Sequence, residues 1–132
     1  MGGLTLDTGA LLALERNRRD IVRVIVTATQ GRDPIMIPAT VIAEWWRGRT
    51  DRRDYVLQMG TIKDVDARIG KLAGEALASL NRSVDVNARI TIDAMVMATA
   101  ALHGPNLYTG DHEDMALFGK FFPSVKLFGL RA

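Results

Sequence analysis

Four acidic side chains stand where an acid is not easily explained as surface decoration: Asp7, Glu44, Asp93 and Asp111. Asp7 directly follows a short apolar run, residues 4–6, that reads as a buried strand. Asp111 follows a second such run, residues 106–109, across Gly110. Asp93 interrupts the mostly apolar stretch 92–102. At about 100° per helical residue, its face is shared by Ile90, Val96, Met97 and Ala100. A carboxylate held there desolvated and unpaired would cost on the order of several kcal/mol. Glu44 flanks the apolar stripe of Val41, Ile42, Trp45 and Trp46, and Asp114 lies three residues past Asp111 as a rival for the same place.

Each acid alone has an ordinary reading. Asp7 suits a helix N-cap, Glu44 a solvated helix face, and Asp111 a turn or cap. Asp93 has Arg89 one turn back as a salt-bridge partner. Trp45 and Trp46 read as core or interface. Gathered together, however, four carboxylates repel one another and call for a counter-ion. Hard oxygen donors without thiolate or imidazole select Mg²⁺ or Mn²⁺ over zinc. Such an ion keeps bound waters, one of which can be activated for phosphodiester hydrolysis.

The rest of the composition narrows the field. The 132 residues contain no cysteine, which excludes a disulfide scaffold, a thiolate zinc site and a thiol nucleophile. The two histidines, His103 and His112, read as surface or helix-end residues. Lys and Arg number 17 against 15 Asp and Glu, and 13 of the 17 are Arg. Setting the four candidate acids aside leaves 17 against 11, a basic rim suited to a polyanion. Arg47 and Arg49, near Glu44 in the chain, are candidates to grip the backbone of such a polyanion. No apolar run approaches the roughly 20 residues needed to cross a bilayer, and the N-terminus lacks the pattern of a signal peptide. The expectation is a cytoplasmic protein of one domain, residues 1–132, with no membrane contact.

Short strands alternate with helical patterns. Strands are expected at 4–6, 35–37, 61–65, 106–109 and 125–128. Helices are expected at 8–15, 20–30, 39–47, 51–59, 66–80, 91–102 and 112–120. That alternation implies a mainly parallel sheet wrapped by helices, with ligands beyond the carboxyl ends of its strands where strand order reverses.

In L-T-L-D-T-G-A-L-L-A, V-I-A-E-W-W-R-G, I-D-A-M-V-M-A-T-A-A and L-Y-T-G-D-H-E-D-M, the chain resembles a PIN-domain ribonuclease of the VapC toxin type. The resemblance spans nearly the whole chain in order. It implies a three-layer α/β/α sandwich and Mg²⁺-dependent (or Mn²⁺-dependent) RNA cleavage. It also implies a homodimer and inhibition by a cognate antitoxin, whose arginine would neutralise the acids while apolar side chains cover Trp45 or Trp46. Asp7 and Asp93 become the firmest metal ligands, Glu44 and Asp111 complete the cluster, and Asp114 is the alternative fourth acid. Thr8 and Thr109 match the hydroxyl residues beside the first and last acids. Gly9 departs from the polar residue that many members carry. Hydrolysis by water predicts 5′-phosphate and 3′-hydroxyl ends.

Other classes fit less well. A PIN-like module that binds RNA or protein without chemistry has little need of a buried Asp93. L-D-T-G-A resembles the aspartic-protease triplet, but a strong helix former follows it. Phosphatase and receiver folds need an Asp at Gly9 or at the end of the strand that here meets Pro38.

Overall fold

A computed structural model of the chain describes residues 2–130. Five strands are β1 Leu4–Leu6, β2 Ile35–Pro38, β3 Thr61–Lys63, β4 Asn106–Thr109 and β5 Lys126–Gly129. Seven helices connect them: α1 Thr8–Glu15, α2 Arg19–Gln30, α3 Ala39–Trp45, α4 Asp51–Leu57, α5 Ala67–Ala78, α6 Ala88–His103 and α7 His112–Ala116. The strand order is β3-β2-β1-β4-β5, and every pairing is parallel.

Right-handed crossovers running from β1 towards β3 place α1 to α4 on one face, and those running from β3 to β4 and β5 place α5 to α7 on the other. Most helix contacts follow that division: α1 meets α2, α3 and α4, while α6 meets α5 and α7; α3 and α6 also meet across it. The result is the expected three-layer sandwich. At the central strand β1, Leu4 and Leu6 are buried, and the buried Thr5 hydroxyl donates to the Gly104 carbonyl at 2.7 Å. Strand order reverses between β1 and β4, beside Asp7, whose N–H continues the ladder by donating to the Tyr108 carbonyl at 3.2 Å.

Several boundaries differ from expectation for local reasons. α6 starts at Ala88 rather than 91, because the Asn87 side chain caps it by accepting from the Ile90 N–H at 3.0 Å. Asp93 therefore lies in the second helical turn. α3 ends at Trp45, not 47; Trp46 is already extended, and Gly48 takes a positive φ of 106° in the loop beyond. Trp45 is buried with its indole N–H on Glu15 Oε1 at 2.9 Å, so it offers no surface to a partner, whereas Trp46 is only partly covered. Pro38 pairs with Lys63 as the last residue of β2 instead of stopping the strand before it. α7 closes at Ala116 and gives way to turns. Among the described residues no helix is long and apolar enough to cross a membrane.

The junction of α6 with β4 tolerates no side chain. A Cβ on Gly104 would stand 2.5 Å from the Leu4 carbonyl oxygen and 2.7 Å from Thr5 Oγ1. The nearest group is backbone of the central strand, which cannot swing away. Gly104→Ala is expected to lower unfolding stability by about 1–3 kcal/mol, the usual range for overpacking. Urea denaturation followed by circular dichroism measures it, and a loss under ~0.5 kcal/mol would contradict the close approach.

Candidate metal centre

The carboxyl ends of β1 and β4 open into a cavity of about 240 Å³. Asp7, Thr8, Glu44, Arg89, Asp93 and Asp111 supply its polar wall, and Val96 and Met115 its apolar side. Four distant stretches of sequence thus meet at one point of strand-order reversal. α1 begins immediately after Asp7, α3 carries Glu44, α6 carries Arg89 and Asp93, and Asp111 follows β4.

Asp7 is both a helix cap and a buried acid. It is 3% exposed. Its Oδ1 accepts from the Ala10 N–H at 3.1 Å and from the Gly110 N–H at 3.4 Å. Burial pushes its pKa up from 3.8 to about 6; hydrogen bonds from the Thr109 hydroxyl and the two backbone N–H groups pull it back, and Asp111 adds repulsion. The second N–H reaches Asp7 because Gly9 and Gly110 lie against each other. A Cβ on Gly9 would stand 2.7 Å from Gly110 N and 2.8 Å from its Cα. The small residue at position 9 therefore keeps the β4–α7 turn close to Asp7, and no polar side chain fits there without moving that turn.

Asp93 is 5% exposed, and its Oδ2 has no hydrogen-bond partner. The neighbours foreseen on its face, Ile90, Val96, Met97 and Ala100, are all buried. Burial, then repulsion from Asp111 and Asp114, push its pKa up to about 7, with Arg89 opposing and Glu44 adding to the rise. Arg89 does not form the salt bridge to Asp93 that would give this acid an ordinary structural role. Its Nη2 lies 2.8 Å from Asp111 Oδ1 and 3.5 Å from Asp114 Oδ2.

Glu44 accepts from the Thr8 hydroxyl through Oε1 at 2.7 Å. Thr109 is buried behind Asp7, and its Oγ1 accepts from the Asp111 N–H at 2.8 Å. Asp114 is absent from the cavity wall and lines a neighbouring hollow with Gly110 and Asp111. Arg47 and Arg49 are exposed and outside the wall, and Arg49 Nε pairs with Asp54 at 2.6 Å. The cation of the site is Arg89, visible in the sequence only as a neighbour of Asp93; its lateral reach to α7 leaves no sequence signal.

Among the described residues, no three acidic or histidine side chains stand close enough to enclose a metal ion as placed. As placed, Arg89 pairs with Asp111, and Thr8 holds Glu44. The donor chemistry nonetheless fits a hard divalent cation. The wall offers carboxylate and hydroxyl oxygens, and Asp93 Oδ2 is a buried acceptor with nothing to accept from.

A family model described as PIN domain matches residues 4–117. No curated protein matches the chain by sequence. Similar solved structures include VapBC2 from Rickettsia felis bound to a DNA fragment from its promoter, with a TM-score of 0.76, 16% identity and coverage of 97% of this chain and 98% of that one. DNA-bound VapBC from Salmonella typhimurium gives 0.69 and 16%, covering 98% of each chain. FitAcB from Neisseria gonorrhoeae gives 0.65 and 14%, covering 96% of each. At these identities the likeness is one of fold.

Asp7 and Asp93 titrate above the ordinary carboxyl value, so between about pH 4 and 7 the folded chain holds protons that the unfolded chain has released. Their contribution to stability is complete below about pH 4 and is lost as pH rises through about 6 to 7. In chelator, Asp93→Asn is expected to gain on the wild type as pH rises from 4.5 to 7.5, by up to about 1.4 kcal/mol per unit. Urea midpoints of both proteins across that range check this. A constant difference would show that Asp93 ionises without penalty.

Proposed function

Because the chain belongs to the PIN-domain family, we propose that it is a Mg²⁺-dependent endoribonuclease, the toxin of a toxin–antitoxin pair, hydrolysing RNA at the acidic cavity. The observation that carries the reading is Asp93: a buried carboxyl with an unpartnered oxygen, on the wall of a cavity whose other donors are oxygens. Asp7 and Asp93 would hold the cation (Mn²⁺ serving as well), with Asp111 completing the set. When bound, a divalent ion neutralises the carboxylates, polarises a phosphoryl oxygen and lowers the pKa of a water.

The chain's own residues do the positioning. The N–H groups of Ala10 and Gly110 and the hydroxyl of Thr109 fix the orientation of Asp7. Thr8 holds Glu44 at the cavity wall, where its carboxylate orients the attacking water and receives its proton. Val96 and Met115 give the cavity a low-dielectric side, which strengthens every charge interaction inside it.

The toxin assignment draws support from the similar folds, which are VapBC toxin–antitoxin complexes and FitAcB. An antitoxin would supply a cationic side chain to the acids and apolar cover to the partly exposed Trp46. A homodimer in the cytoplasm, one domain per chain, completes the proposal.

The test is cleavage of single-stranded RNA by wild type, Asp7→Asn and Asp93→Asn. In Mg²⁺ the wild type is expected to leave 5′-phosphate and 3′-hydroxyl ends, and chelator to stop it. Each variant is expected to lose at least the ~10–100-fold typical of a disturbed metal shell. Undiminished cleavage by both variants would remove the site. Tight RNA or protein binding without turnover in either Mg²⁺ or Mn²⁺ would favour a silent binding module.

A further inference from the structure

The acidic cavity already contains one cation. Arg89, in the first turn of α6, is the only basic side chain among the described residues on the cavity wall. Its guanidinium bridges to Asp111 at 2.8 Å and Asp114 at 3.5 Å, with side-chain exposures of 59%, 44% and 38%. An ion pair this wet is weak and opens easily. Asp111 Oδ1 is nevertheless engaged by it, so a divalent ion that recruits this oxygen must compete with Arg89. Once displaced, the guanidinium stays at the mouth of a cavity whose other charged walls are all acidic. Apart from the bound ion itself, a polyanion approaching those walls meets positive charge only there. The planar fork of arginine matches a phosphate bidentately.

We propose that Arg89 serves the cavity twice: as its resident counter-ion before a divalent cation arrives, and, once released from Asp111, as the residue that holds a phosphate of the RNA substrate. The proposal rests on reading the cavity as the cation site of a nuclease. Its two halves make opposite demands on one side chain. Removing the guanidinium removes a competitor and deepens the negative potential, so the cation binds more tightly. The same removal takes away the phosphate contact, so the substrate binds more weakly. A residue that merely braced α6 against α7 would weaken both, because Asp111 would lose its placement.

The experiment titrates Mn²⁺ calorimetrically into the full-length wild type, Arg89→Gln and Arg89→Lys. It also measures KM and kcat for a short single-stranded RNA at Mg²⁺ saturating for each protein. Arg89→Gln is expected to bind Mn²⁺ about two- to fivefold more tightly and to raise KM about tenfold or more. Arg89→Lys is expected to keep Mn²⁺ affinity near wild type while raising KM, because the charge remains and the fork is lost. Unchanged or weaker Mn²⁺ binding in Arg89→Gln overturns the counter-ion half, and an unchanged KM overturns the phosphate half. Should Arg89→Gln fail to fold by circular dichroism, wild-type KM in Arg89→Lys overturns the proposal. A wild type that binds no Mn²⁺ overturns the cation-site reading itself. A wild type that binds it identically to Arg89→Gln overturns the counter-ion half and leaves the cation-site reading standing.

Discussion

Two carboxyl groups removed from water, at the end of the central strand and inside a buried helix, impose the condition that the rest of the site satisfies. Desolvation raises both, but not equally. Asp7 is solvated by protein: two N–H groups and a hydroxyl replace water and hold its pKa to about 6. Asp93 lacks that shell, keeps one oxygen unpaired, faces other acids and rises to about 7. At neutral pH Asp7 is mostly ionised, whereas Asp93 stands near its midpoint because burial without a hydrogen-bonding shell penalises its charge. The fold thus builds a place whose negative charge is incomplete until something positive enters, and that incompleteness makes the cavity a candidate for cation chemistry.

The sheet explains why these groups meet. β1 is central, with β2 on one side and β4 on the other, so the helices leaving its neighbours diverge to opposite faces and leave a crevice at the carboxyl edge. Close backbone approach then sets the fine spacing, with the Gly9–Gly110 contact holding the β4–α7 turn to Asp7. α3 is fixed from two directions. Glu15 accepts from the Trp45 indole and pairs with Arg53 Nε at 3.2 Å, while Thr8 holds Glu44 one residue away. Arg52 adds a bond to the Leu14 carbonyl at 2.6 Å and so ties α4 to the end of α1. The acid on α3 is therefore held at the cavity wall by Thr8, while Glu15 fixes the adjacent Trp45.

Almost every element was legible because the periodicities are clean and the strands are short apolar runs between turn residues. At α6 and α3 the boundaries differ because side-chain caps and backbone conformations beyond the periodic stretch decide where a helix starts or ends. Asn87 lengthens α6 backwards, and the extended backbone at Trp46 cuts α3 short. The placement of Asp7, Glu44, Asp93 and Asp111 around one cavity was readable from strand ends and helix faces, since both follow from local geometry. Arg89 was readable only as a helical neighbour of Asp93. Its true partners lie across a helix–helix contact, and such lateral pairing is set by rotamer and packing, not spacing. Arg47 and Arg49 are near Glu44 only along the chain, and the loop after α3 carries both off the wall.

The choice between Asp111 and Asp114 shows how position in the fold separates two acids that sequence leaves equivalent. Asp111 lines the cavity, and its N–H bonds to the hydroxyl of Thr109, which in turn hydrogen-bonds Asp7. A shift of Asp7 is therefore transmitted to Asp111 through one side chain. Asp114 sits a turn further along α7, outside the wall, and reaches the site only through its longer 3.5 Å contact with Arg89 and its repulsion of Asp93. As placed, it bears on the cavity through its charge and contributes no atom to the wall. Its charge helps hold the guanidinium at the rim and raises Asp93, while the oxygens that face inward belong to Asp111. A cation entering the cavity would thus meet Asp111 as a neighbour and Asp114 as the anchor to which the displaced Arg89 can still turn.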